Sequence, residues 1–321
     1  MDRTFLGVDV SKDHLDATAR PSAQSRRFAN DAAGIAQLVA WARELAPARI
    51  VFESTGGYQK AAVGALLAAG LPAVVVNARQ VRDFAKGMGI LAKTDAIDAG
   101  VLARFGEVVE TTVRPLASPG ILEFQALYDR RGQLVRMLAA EKNHRHAHAG
   151  GSPKVVKSIG AHIRHLEKLI GELEDRMDKF VEKSEAFRAK DEILQSIPGV
   201  GPQVSRTLLA HLPELGTGSR QSLAALVGLA PYNDDSGRES RARHIRGGRG
   251  KVRIGLYQAA VVAIRCCAEM KAFYEQLKAR GKEPKVALIA VARKLLVLAN
   301  ALVRTSKPYE SRANSVCPET A

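Results

Sequence analysis

TFLGVDVSKDHLDATA, residues 4–19, sets the fold of the N-terminal third of the chain. Residues 4–10 are a short apolar run interrupted by one acid, and they read as a buried strand with Asp9 at its end. Residues 13–19 alternate weakly and read as a second strand, and SRRFA, 25–29, as a third. Ile35, Leu38, Val39 and Trp41 fall at helical spacing, which predicts a helix over 32–44. RIVFE, 49–53, is a short buried strand ending in Glu53. A helix over 58–69, a strand over 72–77 (PAVVVN) and helical patterns over 78–86 and 95–105 complete the segment. Three strands, then helix, strand, helix, strand, helix, is an α/β layout with a hairpin-like start.

The character changes near Ser118. Phe124, Leu127, Leu134 and Leu138 sit at helical spacing, and a break follows at HAHAGGSPK, 146–154. Ile159, Ile163, Leu166, Ile170, Leu173, Met177 and Phe180 then recur at alternating steps of four and three, a heptad seam. Two long helices joined by a Gly/Pro turn fit an antiparallel arm or a coiled coil to a second subunit, and core packing within one globular domain gives the same pattern. Further on, Pro198-Gly199-Val200-Gly201 forms a tight turn that opens a helix, a pattern resembling a helix-hairpin-helix element. Backbone amides at such a turn suit a phosphate, so Gly199 and Gly201 are candidate nucleic-acid contacts; a plain inter-helix turn is the alternative. Residues 252–270 and 284–304 read as two apolar helices. The domain organisation expected is 1–117, an arm over 118–190, a mainly α domain over 191–305 and a polar tail over 306–321.

Charge limits the class of partner. Lys and Arg number 48 against 33 Asp and Glu, a net charge of +15. An excess of that size favours a polyanion, most often nucleic acid. Residues 191–321 hold 20 basic and 11 acidic residues and are the more basic part per residue. Cys266, Cys267 and Cys317 give neither a disulfide framework nor zinc spacing, which fits a reducing cytosol. The first residues lack the long apolar core of a signal peptide. Val286–Val303 carries Arg293, Lys294 and Asn300 in its middle, so a buried or amphipathic helix is expected there and no membrane span.

Four acids form a constellation. Asp9 and Glu53 end strands, and Asp95 and Asp98 lie three apart in KTDAIDAG, on one face of the expected helix. Each alone reads as a solvated strand end or helix start, with Thr94 as a cap for the helix at Asp95. Together, in this element order, they imply an RNase H/RuvC-like fold. Like charges so close repel unless a cation binds, and oxygen ligands suit Mg²⁺.

GLAPYNDDSGRESRARHIRGGRG, 228–250, holds Ser236 beside Asp234 and Asp235, followed by many arginines. From the residues alone Ser236 is a loop hydroxyl, a cap or a nucleophile. Arg238, Arg241, Arg243, Arg246 and Arg249, with Lys251 and Arg253, are candidate phosphate contacts. His144, His146 and His148 sit at the arm tip among basic residues; a solvated or RNA-contacting loop is expected there, with no metal assigned.

These motifs together resemble the DEDD-type insertion-sequence transposases, the group that includes the Piv-like DNA invertases. The carrying residues are Asp9 in FLGVDVSKD, Glu53 in VFESTGGY, Asp95 and Asp98 in AKTDAIDAGVLARF, then SIPGVGP and LVGLAPYNDDSG. The resemblance spans roughly residues 4–300. It implies a RuvC-like domain whose four acids bind Mg²⁺, a helical arm used in assembly, and a C-terminal domain with a serine nucleophile, here Ser236. It further implies DNA as substrate, a structured RNA from the same element as guide, and a dimer or tetramer at work in the bacterial cytoplasm, on the nucleoid. Cutting and rejoining would run through a serine–phosphate linkage. Because Ser236 and the acids fall in different domains, completion of the site between subunits is a further expectation.

Two other classes fit parts of the chain. A RuvC-like structure-selective nuclease would hydrolyse DNA with the same acids and dispense with Ser236. A non-catalytic nucleic-acid binder, or an actin-like ATPase, would open with a similar GVDVSKD, yet the second phosphate loop of such an ATPase is missing from the sequence.

Overall fold

The computed structural model describes residues 3–54, 56–90, 95–111, 119–233, 235–236, 239–240 and 243–310, without the side chains of 95, 96, 119, 235, 236, 239 and 240. The chain divides into two compact units, Met1–Leu116 and Ala117–Ala321.

In the first unit, β1 (Phe5–Val10), β2 (His14–Arg20) and β3 (Ser25–Ala29) form an antiparallel meander. Helix α1 (Ala32–Leu45) returns the chain to β4 (Arg49–Glu53), parallel to β1, and α2 (Lys60–Ala68) leads to β5 (Ala73–Val76), parallel to β4. The sheet order is β3-β2-β1-β4-β5. Helices α3 (Ala78–Gly87) and α4 (Asp95–Val108) follow. The Asp31 carboxylate caps α1 by accepting from the Gly34 amide at 2.8 Å, and Asn77 caps α3 through Arg79 N–H at 2.8 Å.

Strand alternation splits the sheet into two faces. Leu6, Val8, Val10, Leu15, Ala17, Ile50 and Phe52 pack with Ile35, Leu38 and Trp41 of α1 and with Leu66 of α2. Val51, Val74 and Val76 face the other way, onto Val81 of α3 and Val101, Leu102 and Phe105 of α4. Asp9 and Glu53 share the parity of Gly7 and Val51 and so belong to the α4 face.

The second unit is helical. Helices α5 (Pro119–Ala147) and α6 (Pro153–Lys183) run out and back as a hairpin. The heptad residues divide between two environments. Leu166 and Ile170 pack on Leu134 of α5, whereas Met177 joins a core with Phe124, Ile197, Leu208, Leu256 and Leu295, against which Phe180 packs. One seam therefore serves both an intrachain arm and a globular core.

That core is built by α7 (Glu185–Gln195), α8 (Pro202–His211), α9 (Arg220–Val227), α10 (Gly250–Cys266), α11 (Ala268–Ala279) and α12 (Pro284–Thr305). The expected single helix over 252–270 is two helices: Cys267 is extended at φ −127° and ends α10. Cys267 is buried there, so apolar periodicity runs through the break. Helix α12 is long and apolar enough to cross a membrane by length and composition. Ala287, Val291, Leu295, Leu296 and Ala299 are nonetheless buried in this core. Asn300 in α12 accepts from Gly216 N–H at 2.7 Å and donates to Gly218 O at 3.0 Å, a buried amide satisfied by the chain itself.

Candidate functional site

The acids of the first unit gather because of glycine. A Cβ at Gly7 would overlap the carbonyl oxygen of Ala99 and the amide nitrogen of Ala103, and would lie 2.8 Å from Leu102 Cβ. Two turns along α4, a Cβ at Gly106 would lie 2.6 Å from Val51 Cγ2. These two glycines let α4 lie directly on β1 and β4. Asp95 opens α4 one turn before Ala99, and Asp98 stands one turn before Leu102, so both positions lead into the stretch pressed against β1.

At the sheet, Val8 pairs with Phe52, and continuing that register by one residue sets Asp9 beside Glu53, on strands spaced about 4.8 Å apart. Asp9, Glu53 and Asp98 are each partly buried. The structure thus sets Asp9 and Glu53 on neighbouring strands and places residues 95 and 98 on the helix packed over β1, while among the described residues no group of three or more His, Cys, Asp or Glu is placed to hold a metal ion. Carboxylates are oxygen donors, the ligand type that hard divalent cations prefer.

Sequence reading missed a fifth acid. Asp16 on β2 is directly opposite Asp9, and Arg27 on β3 is directly opposite Asp16. Arg27 donates to both Asp16 oxygens, at 2.7 and 3.1 Å. The bidentate pair neutralises Asp16 next to the acid row. The alternation of Leu15, Ala17 and Ala19 toward the opposite face was the available signal.

In the second unit the serine-bearing stretch rises between α9 and α10. Strand β6 (Pro231–Tyr232) pairs antiparallel with β9 (His244–Ile245), and β7 (Asp235–Ser236) with β8 (Glu239–Ser240). Ser236 pairs with Glu239, and Asp235 with Ser240. Arg238, Arg241 and Asp234 lie outside the described residues, as does Thr94.

Of the remaining predicted cations, Arg243, Arg246 and Lys251 are exposed, and Arg249 and Arg253 are half-buried. Arg249 donates to both Glu214 oxygens at 2.5 and 2.7 Å and to His211 O at 2.9 Å. Lys251 is paired with Asp129 of α5. Arg253 donates to Gly247 O and, at 3.4 Å, to Val227 O. Beside them, His211 Nε2 lies 3.1 Å from Asp129 Oδ1 without the alignment of a full hydrogen bond. Burial, reinforced by Lys251 and Arg249 and opposed by Asp129, lowers the His211 pKa from its usual value.

Gly199 and Gly201 also part company. Gly199 has φ +84°, and a Cβ there would overlap Ala259 O and stand 2.8 Å from Ala263 N, so close packing on α10 requires this glycine. Gly201 is the exposed N-cap of α8, and a Cβ there would meet nothing within 4 Å. At the arm tip, Glu141 Oε1 lies 3.3 Å from His162 Nδ1 and 3.7 Å from His144 Nδ1.

The chain joins an α/β unit that carries acids near its strand ends to a helical unit that carries Ser236 in a two-stranded ladder. Residues 6–150 match the family model for IS110-type DEDD proteins, described as "Transposase". Residues 191–275 match the model described as "Transposase IS116/IS110/IS902 family". The chain is 27% identical over 325 residues to the pilin gene-inverting protein of Moraxella bovis, covering 97% of this chain and 99% of that protein. The Moraxella lacunata pilin gene-inverting protein is similar to the same extent, 27% over 325 residues, with the same coverage of each chain. An uncharacterized 43.6 kDa protein of insertion element IS110 from Streptomyces coelicolor is 31% identical over 123 residues, 37% of this chain and 30% of that one. The chain belongs to the IS110 family of transposases. Members of this family catalyse cleavage and rejoining of DNA strands.

Proposed function

We propose that this transposase cuts and rejoins insertion-element DNA through a covalent serine–DNA intermediate, with Ser236 as the nucleophile and Asp9, Glu53, Asp95 and Asp98 as ligands of Mg²⁺. The observation that carries the metal reading is the row formed by Asp9 and Glu53 on adjacent parallel strands, under a helix admitted by Gly7. The sheet order β3-β2-β1-β4-β5 supports the RuvC-like reading of this unit. Bound there, Mg²⁺ would neutralise charge on the scissile phosphate.

The chain's own residues supply the rest. Ser236 Oγ forms a bond to phosphorus as the bond from phosphorus to a deoxyribose oxygen breaks, and the serine proton ends on that oxygen. The phosphodiester bond energy is kept in the serine linkage, so rejoining needs no external energy source. Attack by a freed deoxyribose hydroxyl on the linkage restores Ser236 and completes the exchange. Position in the β7–β8 pair supports Ser236 as a group presented to a backbone phosphate. Exposed Arg243 and Arg246, together with Arg238 and Arg241, bind flanking phosphates in this reading, as do the amides at Gly201 and the α8 N-terminus.

The net charge of +15 suits a bound RNA as well as DNA, and in this reading a structured RNA of the same element supplies target choice. The enzyme works as a dimer or tetramer on paired strands, in the bacterial cytoplasm on the nucleoid. The test is cutting of labelled element-end DNA with Mg²⁺ and element transcript, comparing wild type with Asp9→Asn and Glu53→Gln. Loss of cutting in both by at least about a hundredfold is expected; full cutting by either variant contradicts the metal reading.

A further inference from the structure

The root of the serine hairpin is a crossing of three glycines. Gly228, Gly247 and Gly248 have φ of +76°, +61° and +73°. A Cβ at Gly228 would overlap Gly247 O, and one at Gly248 would overlap Gly228 N and stand 2.6 Å from Gly228 Cα. The outgoing and returning chains therefore touch backbone to backbone. Arg249 N–H donates to Leu226 O at 2.9 Å, which closes the root. The stretch from 229 to 246 springs from this crossing, including the β6–β9 and β7–β8 pairs.

Arg253, one turn into α10, spans the crossing. Its Nη1 donates to Gly247 O on the returning chain and reaches Val227 O, at 3.4 Å, on the outgoing chain. A side chain at Gly228 would meet that same nitrogen. Arg249 ties the returning chain to the end of α8 through Glu214 and His211 O. A rigid helix thus holds both ends of the hairpin at its base.

We propose that Arg253 is a positioning residue for Ser236: by clamping both chains at the glycine crossing, it fixes the direction in which the hairpin presents the serine. Its Nη1 is taken up by carbonyl oxygens of both chains, and the proposal gives it that role in place of a phosphate contact. The role rests on the reading of Ser236 as nucleophile. A guanidinium can hold two carbonyls on different chains in one plane, whereas an ammonium is a point donor. Small displacements of a reacting group cost large factors in rate.

The experiment compares wild type, Arg253→Lys, Arg253→Ala, Arg243→Ala and Ser236→Ala. It reads three quantities: the single-turnover rate of serine–DNA adduct formation, the salt dependence of DNA affinity, and hydrogen exchange of residues 229–246. For Arg253→Lys the proposal expects adduct formation slowed at least about tenfold and faster exchange over 229–246, and for Arg253→Ala an unchanged salt slope. Guanidinium ion added to Arg253→Ala restores part of the rate. Arg243→Ala, by contrast, lowers the salt slope by about one. A salt slope lowered by about one in Arg253→Ala, or a wild-type adduct rate in Arg253→Lys, overturns the proposal. An adduct that persists in Ser236→Ala sinks the nucleophile reading itself; protected exchange over 229–246 in both Arg253 variants sinks the clamp alone.

Discussion

Gly7 of β1 and Ala99 of α4 meet backbone to backbone, with no space for even a methyl group between them. This contact brings the helix carrying Asp95 and Asp98 onto the strand carrying Asp9. Gly7→Ala must push α4 off the sheet, and overpacking of this kind costs about 1–3 kcal/mol. Denaturant unfolding of the full chain measures it. Gly100→Ala, on the same helix with nothing within 4 Å of the added carbon, is expected to be neutral or stabilising by up to about 1 kcal/mol. Equal stability of Gly7→Ala and wild type would refute the close docking.

The acid row makes a metal-linked prediction. Mg²⁺ at about a hundredfold excess over its dissociation constant should stabilise the wild type by about 2.7 kcal/mol. Asp98→Asn should abolish most of that gain, while its stability without divalent cations stays within about 0.5 kcal/mol of wild type. Thermal unfolding with Mg²⁺ and with chelator checks both halves. A variant that keeps the whole Mg²⁺ gain would remove Asp98 from the site.

Much of this arrangement is legible in the sequence. β3 and β4 have the bounds expected from their composition; Glu53 closes β4, whereas Asp9 interrupts a buried run that continues to Val10, one residue beyond the end the sequence suggests. The Asp16–Arg27 pair does not stand out, because it exists only once strand register is known. The break at Cys267 is hidden by continuous apolar residues. Arg249, Lys251 and Arg253 look like neighbouring surface cations in sequence; their partners Glu214 and Asp129 are far away along the chain or on another helix. The heptad run defines a helix face, yet periodicity does not distinguish Leu134 from the globular core as its partner.

The Arg249–Glu214 pair is bidentate and only a quarter exposed on each side. Arg249→Met leaves Glu214 half-buried and loosens the hairpin root, at an expected cost of about 1–3 kcal/mol. Arg249→Met with Glu214→Leu should recover more than half of that loss. A double-mutant cycle by denaturant unfolding measures the coupling, and strictly additive losses would deny the pair its role.

His211 sets a pH dependence. Burial is the main cause of its lowered pKa, so the folded chain takes up a proton there less readily than the unfolded chain. Its contribution to stability is complete above the ordinary value of 6.5 and is lost as pH falls through the lowered folded value. Between about pH 7.5 and 5 the wild type should therefore lose more unfolding free energy than His211→Gln. Parallel pH profiles for the two proteins would contradict this.

The covalent linkage is the central claim, and trapping it tests the account most directly. Protein is incubated with labelled element-end DNA, Mg²⁺ and element transcript, then denatured and separated for protein–DNA adducts. An adduct is expected in wild type and is expected to disappear in Ser236→Ala and in Asp98→Ala. Clean cutting without any adduct, unaffected by Ser236→Ala, would contradict it and leave a hydrolytic nuclease in its place.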